Sequence, residues 1–124
     1  MMNHISLMGR LANDVELRMT QSGLPVANFR VAVERDYAAQ GTERETDFFD
    51  VTAWRNTAEF LSKHFVKGQM IALEGRLETR NWTDRNGNKR VSVGIVCENA
   101  FFAGYKRDAV PQNAAQQSGA YAAA

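Results

Sequence analysis

The stretch Phe48-Phe49-Asp50-Val51-Thr52-Ala53-Trp54 decides the fold of this chain. Read as a strand, its odd positions Phe49, Val51 and Ala53 are all apolar and point one way. Its even positions put Phe48, Asp50, Thr52 and Trp54 on the other face. Two large aromatics among polar residues make a poor core and a poor ordinary solvent surface. They suit a stacking platform, in which flat rings stay open to water beside hydrogen-bonding groups. The alternative is that one aromatic covers a sheet edge or a subunit contact.

Alternation extends on both sides. Upstream, Ile5, Leu7, Gly9 and Leu11 oppose His4, Ser6, Met8 and Arg10. Asn13-Asp14 marks a turn, and Val15, Leu17 and Met19 then resume the pattern against Glu16, Arg18 and Thr20. Gln21-Ser22-Gly23 is a second turn, followed by a strand over about 26–34 with Phe29, Val31 and Val33 inward. Residues 35–46 read as a long polar loop holding Tyr37. Downstream, Asn56-Thr57-Ala58-Glu59 predicts a helix start, with Asn56 as N-cap and Glu59 closing a capping box. Ala58, Leu61 and Phe65 lie at helical spacing, and Lys67-Gly68 supplies the stop. Ile71, Leu73, Gly75 and Leu77 then alternate with Ala72, Glu74, Arg76 and Glu78. A hairpin over 81–90 carries Trp82 and the turn Asp84-Arg85-Asn86-Gly87, and a last strand over about 91–101 sets Val93, Ile95 and Cys97 inward.

About five strands and one short helix point to an all-β, small closed barrel rather than a sandwich, which needs more strands. The helix placed to plug one end fits the five-stranded oligonucleotide/oligosaccharide-binding barrel. Gly9 and Gly75, both at inward parity, let strands bend where such a barrel closes. This domain is expected over 1–105. Over 106–124, Ala, Gln, Asn and Gly dominate and apolar bulk is lost, so a disordered tail is expected.

Composition narrows the function. The chain has 124 residues, enough for one domain with a modest core. A single cysteine precludes an internal disulfide and fits a reducing compartment; no signal-peptide layout or membrane-length apolar run is seen, so a cytoplasmic protein is expected. The formal charge of +1 does not by itself announce a nucleic-acid partner, so any such activity depends on how the basic residues are arranged. His4 and His64 are isolated, Cys97 is inward, and neither a metal-ligand spacing nor a phosphate-cradling glycine loop is present. Catalysis, a metal site and a cofactor are therefore not expected.

The candidate site is a path of rings and arginines. Tyr37, Phe48, Trp54 and Trp82 lie on one outward strand face and in the loops that flank it. A base stacked on such a ring is worth about 1–3 kcal/mol whatever its identity, which makes binding sequence-tolerant. Trp82 as a hairpin anchor and Tyr37 as an ordinary loop aromatic are the bland alternatives. Arg10, Arg30, Arg76, Arg80 and Arg90 share the outward parity and Arg55 follows Trp54. Arginine both pairs with phosphate and stacks on bases. Against this, Glu16, Glu74 and Glu78 sit on the same faces, as on any solvated sheet.

These residues also carry a resemblance. Residues 3–11, 14–18 and 20–23, then Phe29 to Val33, Phe48 to Trp54, Lys67-Gly68, Glu74 to Leu77 and Thr79 to Trp82, resemble bacterial single-stranded-DNA-binding proteins over 1 to about 105. The resemblance implies an oligonucleotide-binding barrel, assembled as a homotetramer whose dimers form by strand-edge pairing near the N-terminus, that coats single-stranded DNA in replication, recombination and repair at the nucleoid. It also implies base stacking at the places held here by Tyr37, Phe48, Trp54 and Trp82. Asp50 stands where some members have a basic residue. Family members end in an acidic tip that recruits replication and repair enzymes. No acidic residue follows Asp108 here, so that recruitment is not expected of the chain as written. Two other readings of the same barrel are a protein-interaction module and an RNA-binding module of the cold-shock or anticodon-binding kind.

Overall fold

The computed structural model describes residues 1–36 and 44–104. Six strands and one helix run in the order β1 (Ile5–Leu11), β2 (Glu16–Met19), β3 (Pro25–Glu34), β4 (Thr46–Trp54), α1 (Arg55–His64), β5 (Met70–Thr83) and β6 (Lys89–Phe102). The sheet order is β1-β5-β6-β4-β3-β2, and a further pairing of β1 with β3 closes it. Closure rests on Arg10 opposite Ala32 and Leu11 opposite Val31. The result is a closed ring of five strands, with β2 attached to β3 outside it. This is the expected oligonucleotide/oligosaccharide-binding architecture. The expected tail over 106–124 lies outside the described residues.

The inward residues read from alternation form the core. Leu11, Phe29, Val31, Val51, Ile71 and Ile95 are all buried, each contributing about 1.5–3 kcal/mol through loss of apolar surface from water. Helix α1 sets Ala58 and Leu61 against them, and Phe65 follows just beyond its end. The two glycines are where the ring bends. A Cβ at Gly9 would stand 2.5 Å from the Ala32 carbonyl oxygen, and one at Gly75 would overlap that of Val96. The β5–β6 register shifts between Glu74 and Gly75, a bulge that turns the strand.

Three expectations are corrected. Strand β4 runs straight into α1: Trp54 is the N-cap, no side chain caps the helix, and Asn56 lies inside the first turn. The corner is made by Arg55 at φ 58, so the expected capping box at Asn56 and Glu59 does not form. At the other end the helix stops at His64 with Phe65 extended. The left-handed Gly68 serves the next turn instead, its N–H donating to the Leu11 carbonyl at 2.8 Å. Finally, Leu17, Met19, Leu77 and Val93 are exposed, although alternation placed them inward. Strand β2 pairs only with β3, and the β5–β6 hairpin outruns the barrel, so these residues have no opposing layer to bury them.

Candidate functional site

The antiparallel register of β3 and β4 builds a ladder on the outward face. Ala32 stands opposite Phe48, Arg30 opposite Asp50, Asn28 opposite Thr52, and Val26 opposite Trp54. The two rings are six positions apart, so they lie about 20 Å from each other along the strand. Phe48 is 52% exposed and Trp54 42%. Between them the ladder is polar: the Thr52 hydroxyl donates to Asn28 Oδ1 at 3.0 Å, and Arg30 Nε lies 3.2 Å from Asp50 Oδ1. The Arg30 guanidinium also sits over the Phe48 ring, 5.2 Å from its centroid. Arg30 starts from a fixed backbone, because its N–H donates to Asn13 Oδ1 and its carbonyl accepts from the Ala12 N–H, both at 2.8 Å.

Beside the ladder runs a groove of about 730 Å³, bounded by β2 and β3 on one side and the base of the β5–β6 hairpin on the other. Of the residues singled out in the sequence, Trp54, Arg30 and Arg80 line it. Phe48 joins it through Arg30. Trp82, 45% exposed, joins it through Ser92, a groove residue whose hydroxyl accepts the indole N–H at 2.7 Å. Three rings and two arginines therefore border one surface.

The remaining arginines do not line the groove. Arg10 donates to the Gly68 carbonyl at 3.1 Å near the seam between β1 and β3. Arg76 pairs with Glu78 at 3.0 Å and Glu98 at 3.3 Å, and Arg90 pairs with Asp84 at 3.0 Å. Arg55 is exposed at the corner after Trp54. Tyr37 lies outside the described residues. Two polar groove residues that the sequence reading left out of the site are Arg18 and Asn28. The signal for Arg18 is its place on the β2–β3 hairpin, where Arg18, Val26 and Trp54 fall in one row across three strands.

Burial, helped by the neighbouring Glu98 carboxylate, pushes the Cys97 thiol up to about 11, so it stays protonated at neutral pH. Arg35 closes the β3–β4 hairpin by pairing with Asp47 and Glu45, and its hydrogen bond holds the Asp47 carboxyl below the usual range. Among the described residues no cluster of three or more His, Cys, Asp or Glu is set to hold a metal ion, and no helix is long and apolar enough to cross a membrane.

Comparison with known proteins gives the chain's family. Residues 2–103 match the model of the single-strand binding protein family. The chain is 44% identical over 108 residues to a protein of Streptococcus pyogenes named single-stranded DNA-binding protein 1, covering 87% of this chain and 82% of the relative. It is 37% identical over 102 residues to the single-stranded DNA-binding protein of Caldanaerobacter subterraneus subsp. tengcongensis, covering 82% of this chain and 68% of that one. Single-stranded DNA-binding protein 2 of Listeria monocytogenes is 40% identical over 102 residues, covering 82% of this chain and 64% of the relative. The chain thus spans about two thirds of the length of the last two.

Proposed function

The chain belongs to the single-strand binding protein family, and on that footing we propose that it binds single-stranded DNA without sequence preference, by stacking bases on Phe48, Trp54 and Trp82. The observation that carries this reading is the outward ladder of β3 and β4, in which two exposed rings bracket polar cross-strand pairs. Rings left open to water lose apolar exposure when a base covers them, and every base offers a π-face. Arg30 and Arg80, with Arg18 beside them, neutralise phosphates along the groove. In the cell this activity coats and protects strands exposed in replication, recombination and repair.

The working unit in this proposal is a homotetramer. Strand β1 pairs along its length with β5, but with β3 only through Arg10 and Leu11. The other edge over residues 5–9 therefore offers unpaired backbone groups to a second copy.

The test is tryptophan fluorescence of the purified protein titrated with an unstructured oligothymidine at low and high salt. Trp54 and Trp82 are the only tryptophans, so quenching reports bases arriving at one of the two. Expected is stoichiometric quenching that weakens with salt, and a loss of about 1–3 kcal/mol of binding for Trp54→Ala with the fold intact. A folded protein that shows neither quenching nor binding would send the aromatic face to a protein partner instead.

A further inference from the structure

The groove beside the ladder carries three arginines, Arg18, Arg30 and Arg80, and three carboxylates, Glu16, Asp50 and Glu78. Its formal charge is therefore zero, an unusual balance for a surface meant to hold a polyanion. Of these carboxylates Asp50 is the one on the ladder itself, opposite Arg30 and between Phe48 and Trp54, nearer to Phe48. Any strand laid from one ring to the other passes it.

Asp50 contributes little to folding. Its side chain is 78% exposed and that of Arg30 52%, and pairs so open to water are weak. What the pair does is fix a conformation. The Arg30 backbone is held by Asn13 and Ala12, so the remaining freedom is in the side chain. Asp50 takes the guanidinium Nε at 3.2 Å, and in that pose the guanidinium covers Phe48 at 5.2 Å. One face of the ring is thus already stacked, and the phosphate ligand is already occupied.

We propose that Asp50 is a positioning residue that sets the affinity of this interface by acting through Arg30. In the free protein its carboxylate stands in for a phosphate, parking Arg30 on Phe48. When a strand arrives, a phosphate replaces the carboxylate on Arg30 and a base stacks at Phe48. Exchanging one anion for another gains little Coulomb energy and leaves Asp50 facing the backbone, so the strand is held loosely at this point and is easily displaced. This rests on the reading of the chain as a single-stranded-DNA binder.

The experiment is a double-mutant cycle of Asp50→Asn and Arg30→Gln, titrated with oligothymidine over a range of salt. Asp50→Asn should tighten binding by about three-fold or more at low salt, because Arg30 becomes free for phosphate. It should also steepen the log–log salt dependence by up to about 0.7, because no displaced carboxylate then offsets the cation release of the Arg30–phosphate contact. The loss caused by Arg30→Gln should be larger in the Asp50→Asn background than in the original protein. Asp50→Ser serves as a second neutral variant, and thermal melting of each variant checks that it is folded. Equal losses in both backgrounds, or an unchanged salt slope for both neutral variants, would overturn the role of Asp50. Failure of the unsubstituted protein to bind oligothymidine would overturn the underlying DNA-binding reading instead.

Discussion

Trp54 and Arg55 meet at a corner where strand becomes helix within one residue, and Arg55 makes that corner at φ 58. A side chain in the left-handed region costs roughly 1–2 kcal/mol relative to glycine. Glycine there would in turn add unfolded-state freedom worth about 0.4–1 kcal/mol. The first effect is the larger, so Arg55→Gly is expected to add up to about 1.5 kcal/mol of stability, read as a higher urea midpoint, while removing a cation from beside Trp54 and so weakening oligothymidine binding. A lower midpoint would mean the Arg55 side chain makes stabilising contacts of its own. The strain that persists at this position keeps a cation next to an exposed ring. Much of the site was legible at this scale: period-2 alternation alone put Phe48, Asp50, Thr52 and Trp54 on one face. The Arg30–Asp50 pair was not, because it depends on the β3–β4 register, which no single strand encodes. Arg18 escaped for the same reason.

Among the elements, the β5–β6 hairpin shows where alternation informs and where it stops. Gly75 sits at the bulge, and a Cβ there would overlap backbone rather than a movable side chain. Gly75→Ala should therefore destabilise by about 1–3 kcal/mol or more, read as a fall in the denaturation midpoint. A neutral result would mean the bulge can shift. At the hairpin tip, Asp84 Oδ1 accepts the Asn86 and Asn88 N–H groups at 2.9 and 2.8 Å, and Oδ2 accepts from Arg90 Nε at 3.0 Å. The Asn88 N–H foremost, with Arg90 and Asn86, holds this carboxyl below its ordinary 3.8. A depressed folded-state value adds stability that is present above pH 3.8 and is lost as the pH falls through the depressed value. Acid titration followed by Trp82 fluorescence should report loosening of the tip in that window, and Asp84→Asn should abolish the transition. Alternation identified the bend at Gly75 and the turn at Asp84, because both are local chemistry. It misplaced Leu77 and Val93, because a face can be apolar without any layer to cover it. The helix start was misplaced because an N-cap signal competed with a strand still hydrogen-bonded at Trp54.

For the molecule as a whole, a formal charge of +1 and an evenly charged groove decide how DNA affinity should respond to salt. If the six arginines singled out in the sequence each met a phosphate with full cation release, about 0.7 cation apiece would give a log–log slope near −4. Arg30, Arg76 and Arg90 are instead paired with Asp50, Glu78, Glu98 and Asp84 in the free protein. Phosphate contact at these residues must displace a carboxylate, and the displaced anion offsets much of the cation release. The slope per protomer is therefore expected to be distinctly shallower than −4, with residual affinity at high salt coming from the rings, which salt does not screen. Fluorescence titrations across a salt series measure this directly. A slope of −4 or steeper would mean that the carboxylates leave these arginines freely, so that net charge and groove balance misstate the interface. A shallow slope with strong high-salt binding would assign the affinity chiefly to stacking, as proposed for the rings of the Phe48 to Trp54 strand.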